Sequence, residues 1–229
     1  ANLENIGLNF AFPSQSIYME KTSNENKWKT HLNFLSNMKN LLNVSNISQK
    51  DFEEIISYAE SLSNQNENSL TNKNIGLIFE KNSTRTRLSF QVGINQLNGN
   101  YIDVRFEELN LNRFESYEDT FEVMSCYLDY LVFRTTDHKK LELAYKYFKK
   151  PIINALSDLS HPCQAISDIY TLKEKFGTID NLNIVWMGDM NNVLFSLLEI
   201  IGFTKNTKID VFTDRKICLL YTSDAADES

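Results

Sequence analysis

Short apolar runs alternate with segments of helical periodicity along most of the chain, and this alternation predicts its elements. Residues 75–79, 130–135 and 151–155 are apolar runs typical of buried strands, and 101–106 alternates in the manner of a strand. The segments between these runs place apolar residues at helical spacing. Strands that alternate with helices in this way predict an α/β fold, in which a parallel sheet is flanked by helices and joined by right-handed crossovers.

Residues that favour caps mark the ends of the predicted helices. Ser48 precedes an amphipathic segment at 51–59 and has an acid three positions on, which is a capping arrangement. Asn98 and Gly99 are typical of a helix end. The other predicted elements are a helix from near Ser83 to Leu97, helices at 117–128, at 139–147 and from Pro162 onward, a strand, glycine turn and helix start within 182–193, and a strand at 209–212.

The pattern divides the chain into four segments. We expect 38–156 to form one α/β domain and 157–217 to form a linking helix and the beginning of a second domain. Residues 1–37 include a polar stretch at 21–30 without helical or strand period, and we expect 1–37 to be an extension that is disordered or foreign to the fold. Residues 218–229 resemble the conceptual translation of a sequencing-library adapter, so we expect them to be non-native and to carry no function.

Composition and charge narrow the classes of protein. The 229 residues have a formal net charge of −7, and the basic residues are scattered, which argues against a nucleic-acid partner. We expect neither a membrane span nor a signal peptide. The three histidines and three cysteines lack metal-site or disulfide spacing, so we expect a cytoplasmic protein without a metal. The cysteines are Cys126, Cys163 and Cys218.

The run Ser-Thr-Arg-Thr-Arg at 83–87 is a candidate anion site. It follows an apolar run and opens a predicted helix, whose first backbone N–H groups have no acceptor within the helix. Arg85 and Arg87 add forked cationic donors beside the same helix end. These features converge on a phosphate or carboxylate ligand. An ordinary capped helix with two solvated arginines is the simpler alternative.

Further candidates lie where ligands bind in α/β folds. Arg134 ends an apolar run, and ligands bind at the carboxyl ends of strands in open parallel sheets. His161 and Gln164 are three residues apart beside Pro162, which favours a helix start, so both are expected to face one point near that helix end. Taken alone, a strand-end arginine is commonly just exposed, and a single histidine is more often structural.

These motifs together resemble those of one enzyme family. The run at 83–87 resembles the carbamoyl-phosphate-binding signature of the aspartate/ornithine carbamoyltransferase family. The stretch His161-Pro-Cys-Gln164 resembles its His-Pro-x-Gln motif, and Cys163 at the variable position favours the ornithine branch.

Two weaker segments agree with this resemblance. Gly188-Asp-Met-Asn-Asn192 is similar to the Gly-Asp-x-Asn-Asn segment of the ornithine branch, and the glycine-rich fingerprint of a dinucleotide site is absent. Residues 107–120 form a polar loop, and its second half, 113–120, is similar to a family segment with Glu-Ser or Glu-Thr followed by Asp-Thr. In the family, the first half of this loop reaches a neighbouring subunit. Asn110 stands where a glutamine or histidine is often found, so we expect it to be an ordinary loop residue.

The resemblance implies an activity and a set of partners. It implies transfer of the carbamoyl group of carbamoyl phosphate to the δ-amino group of L-ornithine, giving L-citrulline and phosphate. No cofactor and a homotrimeric assembly are implied as well. Residues 38–156 then form the carbamoyl-phosphate-binding domain, and 157–217 contain an incomplete ornithine-binding domain.

The resemblance also assigns roles to individual residues. By this resemblance, the phosphate binds at one helix start and the carbonyl oxygen accepts a hydrogen bond from a neutral histidine. The carbamoyl NH₂ then needs an acceptor. The assigned residues are Ser83, Thr84, Arg85 and Thr86 for the phosphate, Arg134 for phosphate and carbonyl oxygen, His161 for the carbonyl oxygen, Gln164 for the NH₂, and Asn192 for ornithine, with Arg134, His161 and Gln164 as the catalytic set.

The family's later ornithine motifs, Asp-x-x-x-Ser-Met-Gly and His-Cys-Leu-Pro, do not occur in the sequence. We therefore expect the chain to be inactive alone and its assembly to be impaired. Aspartate carbamoyltransferase and a non-catalytic phosphate-binding module are the two alternatives to an ornithine enzyme.

Overall fold

The computed structural model describes residues 40–62, 68–109, 111 and 115–213. Residues 1–37, Asn110 and 218–229 lie outside these ranges, and the expectations for them stay predictions.

The main sheet has five strands, and every neighbouring pair is parallel. They are β1 Asn40–Leu41, β2 Asn74–Phe79, β3 Asn100–Val104, β4 Tyr130–Arg134 and β5 Ile152–Leu156. Their spatial order is β1-β5-β4-β2-β3. The predicted α/β class, a parallel sheet flanked by helices, is confirmed.

Six α-helices connect the strands, and their ends follow the residues that favour caps. They are α1 Gln49–Leu62, α2 Thr84–Gln96, α3 Tyr117–Tyr127, α4 His138–Phe148, α5 Pro162–Phe176 and α6 Asn192–Ile201, among the described residues. Ser48 N–H donates to Asp51 Oδ2 at 2.9 Å while Asp51 N–H donates to Ser48 Oγ at 3.2 Å, which is the predicted cap of α1. Pro162 occupies the first turn of α5, as predicted.

A second, two-stranded parallel sheet follows α5. It consists of β6 Asn183–Met187 and β7 Lys208–Phe212, with α6 between them. Gly188 follows β6 directly and has a φ of 141°, a backbone conformation that favours glycine, so the predicted strand, tight turn and helix are confirmed.

Apolar side chains pack on both faces of the main sheet. Ile78 and Phe133 point to one face and pack with Phe121 of α3 and Phe148 of α4. On the other face, Leu77 and Val132, the neighbours of these two residues along their strands, belong to a cluster with Ile94 of α2. A third cluster contains residues of β1, α1, α5 and α6, namely Leu41, Phe52, Ile56, Ala165, Ile169, Leu197 and Ile200.

Two elements differ from the prediction. The two-residue strand β1 was not predicted, because two residues are too short to show a period; it is recognisable through its pairing with β5. The strand expected at 101–106 ends at Val104, and Phe106 opens a 3₁₀ turn, Phe106–Glu108. Within the described ranges no helix is both long and apolar enough to cross a membrane.

Candidate functional site

The candidate residues gather at one edge of the main sheet. Phe79 pairs with Arg134, and Arg134 with Leu156, at the carboxyl ends of the neighbouring strands β2, β4 and β5. The loops after these strands therefore open on one edge, where ligands bind in open parallel sheets. The helix start at 83–86 follows β2, and His161 follows β5.

The start of α2 gathers hydroxyl groups. Ser83 is the N-cap residue, but its side chain makes no capping bond to the helix backbone. Its Oγ donates instead to Thr86 Oγ1 at 2.9 Å. Thr84 and Arg85, the first two helical residues, are exposed. Because the first N–H groups of a helix have no acceptor within it, this helix end suits an anion.

Arg134 reaches the same helix end from β4. Its Nη1 donates to Thr86 Oγ1 across 3.4 Å. Its Nε is buried and has no hydrogen-bond partner in the described part of the chain. Burial lowers the pKa of the guanidinium, yet an arginine stays charged in proteins at neutral pH. A buried cationic donor without an acceptor is costly, and an anionic ligand would satisfy it.

His161 is a neutral imidazole at the start of α5. Burial, and to a smaller extent the positive charge of Arg134, lower the pKa of His161 to about 4. At pH 7 the ring therefore has one N–H to donate and no charge. Its Nδ1 is buried and has no partner among the residues described. The geometry thus brings a second unsatisfied polar group close enough to Arg134 to feel its charge.

The backbone of His161 is held by hydroxyl groups. Its N–H donates to Ser196 Oγ of α6 at 2.9 Å, and the Ser160 and Ser196 hydroxyls lie 2.9 Å apart. The preceding loop closes on itself, since Ser157 N–H donates to Ser160 O at 2.9 Å. The fully buried Asn154 donates its amide to Ser160 O at 3.3 Å. These bonds give the histidine a defined position.

Gln164 lies on the first turn of α5 with His161, as the spacing predicts. Its Nε2 donates to Asp168 Oδ1 at 2.8 Å. Burial raises the pKa of Asp168, and the hydrogen bond from Gln164 opposes this rise. Burial raises the pKa of the neighbouring Cys163 to about 12, so this thiol is not a nucleophile at neutral pH.

Asn192 lies just inside α6. The N-cap of this helix is Asn191, whose Oδ1 accepts from Val193 and Leu194 N–H. Asn192 is the first helical residue, and its Nδ2 donates to Ser157 O at 2.5 Å. The side chain therefore reaches the loop that precedes His161.

Arg87 belongs to the packing of the fold. Its Nη1 lies 2.6 and 2.7 Å from the two carboxylate oxygens of Asp103, and its guanidinium lies over the Phe79 ring. Asp103 neutralises this charge, which corrects the expectation that Arg87 adds to the anion site as Arg85 does.

Two residues near the site were not predicted. Glu80 follows β2 and accepts from Thr135 Oγ1 at 2.7 Å and Thr136 N–H at 2.7 Å, and it pairs with Lys140. Burial alone would raise the pKa of Glu80, but hydrogen bonds from Lys140, Thr136 and Thr135 lower it to about 2. An acid directly after a buried strand was the available signal. For Ser196 the sequence contained only a weak signal, which was a serine on the apolar face of a helix.

The described residues contain no cluster of three or more His, Cys, Asp or Glu side chains that could hold a metal ion. The site is instead a set of hydroxyl groups, guanidinium groups and one neutral imidazole at the strand ends of a parallel α/β domain, which suits an anionic ligand. The family model for the aspartate/ornithine carbamoyltransferase carbamoyl-P binding domain matches residues 39–174. The chain belongs to the aspartate/ornithine carbamoyltransferase family.

Individual proteins agree with this membership. An ornithine carbamoyltransferase of Methanosphaera stadtmanae is 45% identical over 163 residues, which cover 70% of this chain and 54% of the relative. The crystal structure of ornithine carbamoyltransferase from Thermus thermophilus matches with a TM-score of 0.72 at 33% identity, covering 77% of this chain and 62% of that one. Aspartate transcarbamoylase from Trypanosoma cruzi, in complex with aspartate and phosphate, matches with a TM-score of 0.69 at 26% identity, covering 75% and 58%. The chain spans about half the length of the curated relatives it matches.

Proposed function

We propose that this chain supplies the carbamoyl-phosphate-binding part of an ornithine carbamoyltransferase. The proposed reaction transfers the carbamoyl group of carbamoyl phosphate to the δ-amino group of L-ornithine and releases phosphate. The observation that carries the proposal is the hydrogen bond from Arg134 to the Thr86 hydroxyl at the start of α2, beside a neutral His161. The buried atoms Arg134 Nε and His161 Nδ1 have no hydrogen-bond partners in the described ranges. The identity to ornithine carbamoyltransferases supports ornithine as the acceptor.

The phosphate is proposed to bind at the start of α2. Ser83, Thr84 and Thr86 supply hydroxyl groups, and the helix end supplies backbone N–H groups. Arg85 follows directly in the same turn, and Arg134 approaches from β4. Forked guanidinium donors match the geometry of phosphate oxygens.

The carbamoyl group is proposed to lie between Arg134, His161 and Gln164. As the amine attacks, the new C–N bond forms and the carbonyl oxygen gains negative charge. The C=O bond then re-forms, the C–O bond to the phosphate breaks, and the departing phosphate takes the proton that the amine gives up. Arg134 and the neutral His161 would donate to the developing oxyanion, and Gln164 would accept from the NH₂. Donors that are already in place stabilise this charge without rearrangement.

The remaining assignments extend to the second unit. We place ornithine near Asn192, because the start of α6 contacts the loop that carries His161. The boundary between the carbamoyl-phosphate-binding domain at 38–156 and the ornithine-binding segment at 157–217 is proposed on the same grounds. A cytoplasmic location and a homotrimer are also part of the proposal.

Calorimetry of the chain with carbamoyl phosphate and with inorganic phosphate tests the donor site. We expect carbamoyl phosphate to bind at least tenfold more tightly, since about 1.4 kcal/mol from the carbamoyl contacts is enough for this. Equal binding of the two would favour a non-catalytic phosphate-binding module.

The acceptor is tested by adding L-ornithine or L-aspartate to the chain saturated with carbamoyl phosphate. Binding of ornithine alone, measured by calorimetry, supports the ornithine enzyme. Binding of aspartate alone would favour aspartate carbamoyltransferase, to which the match with the Trypanosoma cruzi enzyme gives some support.

A further inference from the structure

Asp168 lies one helical turn beyond Gln164 on α5 and has no role in the proposed site. Its Oδ1 accepts from Gln164 Nε2 at 2.8 Å, and Gln164 is its single hydrogen-bond partner in the described part of the chain. The side chain is half-buried, and this burial disfavours the ionised carboxylate. A glutamine–aspartate pair four residues apart adds little to the stability of a helix. Helix stability is therefore a weak reason for placing a carboxylate here.

The carboxylate determines which way the Gln164 amide faces. An amide has an oxygen that accepts and a nitrogen that donates, and they occupy different arms of one planar group. An ionised carboxylate only accepts, so the NH₂ of Gln164 faces Asp168. The Gln164 carbonyl oxygen then points away from Asp168. It accepts no hydrogen bond from the residues that the structure describes.

We propose that Asp168 is a positioning residue, which presents the Gln164 carbonyl oxygen to the NH₂ of the carbamoyl group. The site then prefers carbamoyl phosphate over an acyl phosphate that has a methyl group in place of the NH₂. This inference rests on the proposed function, in which Gln164 accepts from the carbamoyl NH₂. Without Asp168, the amide can turn and present its own NH₂, which places two donors against each other.

Two acyl phosphates isolate this contact. Carbamoyl phosphate and acetyl phosphate share a phosphate and a carbonyl oxygen, so the contacts of Thr86, Arg134 and His161 are common to both. Only carbamoyl phosphate has an NH₂ for Gln164. The ratio of the two dissociation constants, measured by calorimetry on the chain, therefore reports on the Gln164 carbonyl oxygen.

We expect Asp168→Ala to lower the preference for carbamoyl phosphate about five- to tenfold, the effect of one hydrogen bond, and to leave acetyl phosphate binding unchanged. Asp168→Glu keeps a carboxylate within reach and should restore most of the preference. Gln164→Ala should lose the same preference, and adding Asp168→Ala to it should have no further effect.

Glu174→Gln is the matched control, because it removes a negative charge from an exposed position on the same helix. We expect it to leave the ratio unchanged. Circular dichroism establishes that each variant folds, and Asp168→Leu, which has a similar shape, replaces Asp168→Ala if the alanine variant does not fold.

An Asp168→Ala variant that keeps the wild-type ratio overturns the proposal. So does an equal weakening of both ligands, which would show a purely structural role, or an effect that persists in the Gln164→Ala background. If the wild-type chain prefers carbamoyl phosphate to inorganic phosphate but the variants give one of these results, the proposed function stands without this inference. A wild-type chain without that preference contradicts the proposed function itself.

Discussion

The ionisation of His161 follows from its surroundings. The residue is 8% exposed, and both burial and the nearby charge of Arg134 oppose protonation of the ring, so the pKa falls to about 4. A protonated ring would repel the guanidinium and would lose the mixture of donor and acceptor nitrogens that a neutral ring has. Because His161 is neutral, Arg134 alone carries a charge in this pair, and its Nη1 donates to the Thr86 hydroxyl of α2.

We expect the free energy of unfolding to fall as the pH drops from about 6.5 to about 4, because His161 binds its proton more readily in the unfolded chain. This contribution is fully present above the unfolded pKa of 6.5 and is lost as the pH falls through the folded pKa. The loss is about 3 kcal/mol at most. Urea unfolding at a series of pH values measures it, and His161→Gln should lack this part of the pH dependence. An NMR titration that gives His161 an ordinary pKa in the folded chain would contradict the expectation.

Thr86 connects Ser83 to Arg134 through one hydroxyl group. Thr86→Val keeps the shape and removes both hydrogen bonds, so we expect inorganic phosphate to bind about tenfold more weakly. Thr86→Ser retains the hydroxyl and is the matched control, with affinity close to that of the wild type. Calorimetry measures both. Unchanged affinity in Thr86→Val would show that the hydroxyl does not organise the phosphate site.

At the scale of elements, the loop between β5 and α5 depends on α6. Ser196 of α6 accepts from His161 N–H and contacts the Ser160 hydroxyl, while Asn192 of the same helix donates to Ser157 O. Ser160, His161 and Ser196 are buried, so water does not readily replace their hydrogen bonds when these are broken. The position of the catalytic candidate His161 is thus set partly by a helix that begins at Asn192, 31 residues later in the chain.

We expect Ser196→Ala to lower the free energy of unfolding by about 1–3 kcal/mol, because it leaves the buried N–H of His161 without an acceptor. Ser167→Ala is the matched control. Ser167 Oγ donates to Cys163 O within α5, so its loss leaves no buried donor, and we expect a change within about 0.5 kcal/mol. Urea unfolding followed by circular dichroism compares them. Equal stability of the two variants would show that Ser196 has no special part in holding the loop.

At the scale of the molecule, one apolar cluster joins the two sheets. Phe52 of α1 is fully buried and stacks on Phe203, which follows α6, with ring centroids 5.3 Å apart. The same cluster includes Ala165 and Ile169 of α5 and has Trp186 of β6 packed against it. Because the cluster draws on the main sheet's first strand and on the β6–β7 unit, we expect the described part of the chain to unfold as one unit.

A chain with Trp28→Phe, in which Trp186 is the single tryptophan, tests this. We expect tryptophan fluorescence and circular dichroism to give the same urea midpoint. Phe52→Leu should lower both urea midpoints together, since it removes a stacked ring from the cluster. The corresponding loss in the free energy of unfolding is about 1–2 kcal/mol. Phe176→Leu, at a position 61% exposed on α5, should shift neither. Separate midpoints for the two probes would show that the β6–β7 unit unfolds independently.

Several particular elements were predictable because their signals are local. The strand at 75–79, the helix that starts after Ser83 and the proline-led start of α5 depend on residue type and period within a few positions, and the structure has all three. The site candidates Arg134, Thr86 and His161 were also predictable, since they stand at strand ends or helix starts. Glu80 and Asp168 were not singled out. Glu80 directly follows a buried strand, but that position alone does not predict its hydrogen bonds, and Asp168 has no local pattern that distinguishes a buried position from a solvated one.

The sequence by itself determined the α/β class, the order of most elements and the motifs that place the chain in its family, because hydrophobic period and helix caps act over short distances. Tertiary structure alone decided the pairing of β1 with β5, the neutralisation of Arg87 by Asp103, and the contact between Ser196 and His161. Each of these contacts joins residues that are at least 16 positions apart, and the smallest separation is that of Arg87 and Asp103. Which distant groups meet depends on how the strands and helices pack, and burial then sets the charge of groups such as His161.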